Sequence, residues 1–280
     1  MNDKTARTYT YTRYPARQGM VWLKQALHMF NQQRLAWVVL LLAYYLLLLV
    51  TRALPFIGPW AMTIIKPVLA VGLLAAAWNQ ERGTQPALRM ILQGFRANVW
   101  ALLPIGVFFV IGMTAAVFGS ALIDGGKLIE FISNSTTATE AEMEKALEDR
   151  QLQFGMLFSA LLSLPVLVAT WWAPALIVFQ NAGPGAALLA SMRAAFANWR
   201  PLAIYGLGVF FYGVVLPGLV VSVLAMILPQ SIAQVIMLAL LMPYFMFFAA
   251  CLHISDYISY RDVFHADEKP GTTPAATTDA

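Results

Sequence analysis

Six long apolar stretches, at about 35–55, 59–79, 99–122, 154–179, 201–228 and 232–255, alternate along the chain with short polar segments. Crossing about 30 Å of hydrocarbon takes roughly 20 apolar residues of helix, and each stretch reaches that length. Alternating segments of about ten residues, which would signal a membrane β-barrel, do not occur. The pattern therefore predicts an all-α polytopic membrane protein with six transmembrane helices. A second periodicity runs through the polar segments. Leu23, Ala26, Leu27 and Phe30 share one helical face while Lys24, His28 and Asn31 share another. Leu88, Ile91, Leu92 and Phe95 oppose Arg89, Gln93 and Arg96, and Leu188, Met192, Ala195, Phe196 and Trp199 form a third stripe. Apolar positions at this spacing, on segments too short to span, predict amphipathic helices lying along the membrane surface.

Each of these helices ends in a related phrase. "MFNQQRLAWVVLLL" (29–42), "GFRANVWALL" (94–103) and "AFANWRPLAI" (195–204) all set a phenylalanine and an asparagine just before an apolar run. Placing Phe30 over Phe95 also aligns Leu23 with Leu88, Lys24 with Arg89, Leu27 with Leu92 and Ala36 with Ala101. "GVFF" recurs at 106–109 and 208–211. The asparagine suits a turn, since its side chain can bond nearby backbone. The predicted organisation is a three-fold internal repeat, with units at about 19–83, 84–183 and 184–264, each an interfacial helix followed by two spans. An even number of spans per unit keeps the units parallel, unlike the inverted repeats of many transporters. The returning spans carry prolines, Pro67, Pro165, Pro174 and Pro243, which a helix bundle tolerates when neighbours repair the interrupted backbone. Residues 1–18 and 265–280 read as disordered arms flanking a membrane domain at 19–264.

Charge adds an orientation. Lys4, Arg7, Arg13, Arg17, Lys24 and Arg34 precede the first span; Arg82, Arg89 and Arg96, Arg193 and Arg200, and Arg261 and Lys269 fall on segments of the same side. The other side receives the segment 124–152, with seven acidic and three basic side chains. The positive-inside rule then places both termini in the cytoplasm and 124–152 in the periplasm of a bacterial inner membrane. Within that segment Thr139 and Glu142 have capping-box spacing ahead of a charged helix. The first 34 residues lack the apolar core and cleavage site of a signal peptide, so the first span is expected to lead insertion. With 60% hydrophobic and only 11% charged residues, the basic balance reflects topology, and no nucleic-acid module accompanies it. The single Cys251 excludes an intramolecular disulfide and any multi-thiolate metal site.

The stretch "WWAPALIVFQNAGPGAALLASMRAAFANWRPL" (171–202) resembles a signature of a broad set of uncharacterised bacterial six-span inner-membrane proteins. It is also similar to the membrane domain attached to some glycerophosphodiester phosphodiesterases. The resemblance implies a six-span inner-membrane protein. It does not imply phosphodiesterase activity, because no catalytic domain and no acidic metal-binding cluster accompany it.

Candidate chemistry is sparse. No nucleophile, nucleotide or metal motif is present, so no catalytic residue, cofactor or metal ligand is expected. Lys66 stands about seven residues inside the second span beside Pro67. An ionisable group at that depth either snorkels its stem to the outer headgroups or serves a ligand or ion. No Asp or Glu falls inside the six predicted spans, which leaves Lys66 without an obvious partner. His253 and Asp256, three apart near the inner end of the last span, form a candidate polar cluster. Trp22, Trp37, Trp60, Trp78, Trp171, Trp172 and Trp199 are expected as interface anchors.

Two function classes follow: a non-enzymatic membrane scaffold or accessory protein, and a small-molecule or lipid transporter or channel. Sparse intramembrane polarity favours the first, with the bilayer and other membrane proteins as expected partners and the oligomeric state left open. A cavity lined by Lys66 would favour the second. Reporter fusions after residues 90, 190 and 270 are expected to read cytoplasmic and one near 140 periplasmic. A periplasmic reading at 90 or 190 would break both the orientation and the parallel repeat.

Overall fold

Backbone groups without partners cost several kcal/mol in hydrocarbon, so apolar stretches of this length fold as helices. The computed structural model describes residues 9–52, 54–55, 58–135 and 137–265, and among these every regular element is helical. Helix α1 (Gln18–Gln32) precedes the first two spans, α2 (Arg34–Arg52) and α3 (Gly58–Glu81). A single 3-10 turn (Leu88–Met90) and the four-residue α4 (Gln93–Arg96) lead into the third span, α5 (Val99–Asp124). Two short helices, α6 (Lys127–Asn134) and α7 (Glu140–Leu147), follow on the opposite side of the bundle. The fourth span consists of α8 (Arg150–Trp171) and α9 (Ala173–Gln180). Helix α10 (Pro184–Ala197) then precedes the fifth span, built from α11 (Trp199–Phe210), a π turn (Phe211–Val215) and α12 (Leu216–Ile227). The 35-residue α13 (Gln230–Phe264) is the sixth.

Six helical segments are thus long and apolar enough to cross a membrane, as the hydropathy pattern predicts. The last reaches Phe264 rather than stopping near 255. That extension brings Asp256 inside the span, about 12 Å of helix before its end at 1.5 Å per residue. The expectation that no carboxylate lies within a span is therefore corrected. It followed from ending the window where hydropathy falls, whereas the backbone continues helical through the polar residues.

Two of the three asparagines of the recurring phrase bond nearby backbone, while Asn31 accepts from the Arg34 side chain at 2.9 Å. Asn98 caps α5 by accepting from the Ala101 N–H at 3.2 Å. Asn198, fully buried, accepts from the Tyr14 N–H at 2.9 Å and donates to the carbonyls of Thr12 and Ala194, each at 3.0 Å. Thr12 in turn donates its N–H to the Val263 carbonyl at 2.8 Å. Residues 9–17 are therefore strapped to the bundle, which corrects the expectation of a loose arm for that part of 1–18. Residues 1–8 and the tail beyond His265 lie outside the described residues.

Helix α1 packs against α11 and α13. Its buried face is Gly19, Trp22, Ala26 and Phe30, one step around from the predicted stripe, and Leu27 is exposed. Gly19 is required there, because a Cβ would collide with the Pro201 carbonyl. The second predicted amphipathic helix is not continuous. Between the 3-10 turn and α4 only Met90, Ile91 and Gly94 are buried, and Leu88, Leu92 and Phe95 stay exposed. Gly72 and Gly94 explain the close fit: a Cβ on either would strike backbone across the α3 contact, at Ile91 and Val68 respectively. The third segment, α10, buries Ala187, Ala190, Ser191, Ala194 and Ala195, and leaves Phe196 and Trp199 outside.

Tryptophan placement differs as well. Trp22, Trp37 and Trp172 are fully buried, each with its indole N–H donated to a partner: Asp262 at 3.1 Å, Gln80 at 2.7 Å and Ser259 at 3.0 Å. A buried indole must find an acceptor, and polar side chains on α3 and α13 supply it. Trp60 and Trp199 remain exposed, as anchors would. In the fifth span, the Tyr244 hydroxyl of α13 donates to the Tyr212 carbonyl within the π turn at 2.5 Å.

On the opposite side, the capping box forms: Glu142 accepts from the Thr139 N–H at 2.8 Å while the Thr139 hydroxyl accepts from the Glu142 N–H. The charged helix stops at Leu147, and Asp149 starts α8 by accepting from Gln151 and Leu152. Lys127 of α6 closes the arrangement with an ion pair to Asp149 at 2.5 Å. Hydrogen bonds from the Thr139 backbone and hydroxyl hold Glu142 below the usual carboxylate range, and Lys127 does the same, with the Gln151 N–H, for Asp149. A lowered folded value means stability that is complete above the ordinary Asp and Glu values and is lost as pH drops through the lowered ones. Hydrogen exchange over 139–153, corrected for intrinsic rates, is expected to show protection that persists through the ordinary range and collapses only below it. Lys127→Gln should weaken that protection near 149–152; an unchanged profile would remove the ion pair from the account.

Candidate functional site

All six spans contribute to a cavity of about 880 Å³. From α2 come Tyr44 and Tyr45 and, at the helix end, Arg52; from α3 comes Lys66; from α8 come Thr170 and Trp171. Helix α11 adds Tyr205, and α13 adds His253 and Asp256. Lys66 and the His253–Asp256 pair, predicted separately, thus face one space. Lys66 lies close enough to act electrostatically on both His253 and Asp256. The histidine Nδ1 and the Asp256 carboxylate are 3.8 Å apart, beyond hydrogen-bond distance.

Local sequence explains the placement. Pro67 removes one ladder hydrogen bond beside Lys66, within a helix whose following face, Val68, Leu69 and Val71, is buried. His253 sits one turn before Asp256 on α13, and its ring meets Tyr44 edge-on at 5.3 Å. Tyr44 also meets Tyr45 at 5.2 Å, and Trp171 meets Tyr205 at 5.3 Å, so the cavity has an aromatic floor. The Tyr205 hydroxyl is fixed by Ser255 at 2.7 Å, and Thr170 bonds the Val166 carbonyl at 2.8 Å. Arg52 marks the mouth, roughly 12 Å along α2 from Tyr44 at 1.5 Å per residue.

Two polar atoms in this wall stand out. The Tyr44 hydroxyl and the Trp171 indole N–H are enclosed and have no hydrogen-bond partner among the described residues. Leaving such a donor unmet costs about 1–3 kcal/mol, and nearly all buried polar groups are satisfied. Both residues line the cavity, which makes it the candidate functional site. Neither residue was singled out by this role in the sequence; Tyr44 and Tyr45 in mid-span were the available signal, since tyrosine is otherwise concentrated at span ends.

A second polar cluster, missed entirely by hydropathy, lies where α1, α3 and α13 meet. The Arg261 guanidinium pairs with Glu81 and, at 2.8 Å, with Asp262, while the Tyr257 hydroxyl donates to Glu81 at 2.5 Å. These groups satisfy one another, which is the mark of architecture rather than of an open site. Among the described residues no three His, Cys, Asp or Glu side chains stand together as metal ligands.

A protein of Burkholderia thailandensis named "Probable inner membrane protein" is 30% identical to the chain over 260 residues, covering 91% of this chain and 94% of the relative. The chain belongs to the family of that protein. With its six apolar helices, it is a multi-pass membrane protein of the inner membrane. No protein-family model matches it, and no solved structure matches it.

With the cavity empty, Tyr44→Phe removes an unmet donor at nearly constant volume. It is expected to stabilise the ligand-free protein by on the order of 1 kcal/mol, read as a rise in the thermal midpoint in detergent. A fall instead would show that the hydroxyl has a partner.

Proposed function

We propose that this protein is a carrier for a small molecule or lipid, with both termini in the cytoplasm and the cavity as its binding chamber. One observation carries the reading: Lys66, His253 and Asp256, the three ionisable groups picked out along the sequence, line a single cavity to which every span contributes. Ionisable side chains inside a membrane are costly and mark substrate or ion paths. The volume falls within the range of roughly 300–1,000 Å³ typical of ligand sites, and the lining combines apolar and aromatic walls with a few polar groups, as such sites do. The π turn in the fifth span adds support, since these turns recur at functional positions.

A scaffold role is the second reading, and a different observation favours it. Only 6% of the fifth span's apolar window and 11% of the sixth's are buried, against 50% of the second's. Such faces suit lipid or another membrane protein. The likeness of 171–202 to the membrane domain of some glycerophosphodiester phosphodiesterases concerns, in this reading, the membrane framework and not an activity.

Thiol labelling tests the carrier reading. In a Cys251→Ala background, Thr170→Cys lines the cavity and Val223→Cys faces outward on α12. A small membrane-impermeant thiosulfonate is expected to label Thr170→Cys from the side of the α2–α3 connection far faster than Val223→Cys. Equal, slow labelling would mean that water does not enter, and would leave the scaffold reading in front.

A further inference from the structure

The cavity carries more donors and cations than acceptors, and that imbalance specifies a ligand. Lys66 and Arg52 bring two positive charges to its wall, against one carboxylate, Asp256. Neither cation has an ion pair among the described residues. The two unmet polar atoms can both donate: Trp171 Nε1 has no other capacity, and the Tyr44 hydroxyl is enclosed with nothing to donate to. Two donors and an unpaired ammonium call for oxygen acceptors bearing negative charge, as in a carboxylate or a phosphate. The remaining wall is apolar, with Leu48 and Leu49 from α2, Phe109 from α5, Leu167 from α8 and Leu252 from α13. A free inorganic anion would leave that surface against water, so the site matches a molecule that has both parts.

We propose that the cavity binds an anionic amphiphile, a carboxylate or phosphate group on an apolar tail, with the headgroup held by Lys66, Tyr44 and Trp171 and the tail along the leucine-lined wall. This assignment rests on the carrier reading and names its substrate class. Asp256 sets the charge limit. With its carboxylate on the same cavity wall, an anionic headgroup is held by Lys66 while Arg52 adds positive charge at the mouth, and a cationic headgroup would meet two like charges. His253, edge-on to Tyr44 and next to Asp256, has no distinct role in this assignment beyond packing the floor.

The test uses the full chain in nanodiscs of phosphatidylcholine alone, with a palmitate analogue bearing a mid-chain diazirine. After photolysis, adducts are mapped by mass spectrometry. Adducts are expected on the cavity-lining parts of α2, α8 and α13. Excess palmitate and excess lysophosphatidate should both suppress them, and the stronger of the two identifies the headgroup as carboxylate or phosphate. Hexadecanol, which has the tail alone, and inorganic phosphate, which has the charge alone, should not. Lys66→Gln is expected to lower the cavity adducts by about tenfold, the loss of one charge-assisted hydrogen bond, while Lys66→Arg retains them better; Tyr44→Phe should fold normally and lose a smaller factor. Suppression by hexadecanol equal to that by palmitate, or unchanged labelling of a well-folded Lys66→Gln, would overturn the anionic class and leave a carrier of neutral amphiphiles. Suppression by inorganic phosphate would overturn the need for a tail. Absence of cavity adducts in a protein whose Thr170→Cys variant labels from water would sink the amphiphile assignment alone. Absence of both would sink the carrier reading beneath it.

Discussion

A carboxylate buried to 1% exposure holds the two ends of the bundle together. Asp262, near the end of α13, accepts from the Gln18 amide at 2.7 Å and the Trp22 indole at 3.1 Å, both on α1, and from its neighbour Arg261 at 2.8 Å. Taking an ion out of water costs several kcal/mol unless other groups replace its hydration. Here two replacements come from α1 and one from Arg261 of α13 itself, so the carboxylate is satisfied when α1 is seated and Arg261 is shared with Glu81 of α3. The strap at 9–17 and the seating of Asn198 follow from the same closure, because Tyr14 donates its hydroxyl to the Asp262 carbonyl.

That closure divides the bundle into unlike halves. Towards the side of α1, tryptophans and polar groups interlock: Trp172 donates its backbone N–H to Ser191 and its indole to Ser259, and Ser191 donates to the Val168 carbonyl. Farther along, all six spans line the cavity, and most of the apolar surface of the fifth and sixth is exposed. That arrangement suits the proposed carrier, in which one half would fix position and the other would receive a ligand.

Much of this was legible in the sequence. Hydropathy located six spans to within a few residues at most ends, because nothing competes with the hydrocarbon over such lengths. The capping box at Thr139 was readable, since its contacts are local. What hydropathy could not provide was partnership across the bundle. Trp22, Trp37 and Trp172 look like anchors until the acceptors on α3 and α13 are known, and Asp256 looks terminal until α13 is seen to continue. Lys66, His253 and Asp256 were each visible as unusual. Their convergence depends on how α3 and α13 pack, and the roles of Tyr44 and Trp171 depend on what fails to reach them, neither of which leaves a periodic trace.

The bond between Trp22 and Asp262 spans 240 residues of chain. A ribosome adding about 5–20 residues per second needs on the order of ten to fifty seconds to cover that distance. Throughout that time α1 has left the ribosome while the carboxylate it will meet has not been made. An indole and an amide without acceptors must wait at the membrane surface, where water and headgroups can serve them provisionally. The closing contact therefore forms last: a chain that stops before its last helix has no Asp262 to meet, and α1 keeps the face with Gln18 and Trp22 unseated.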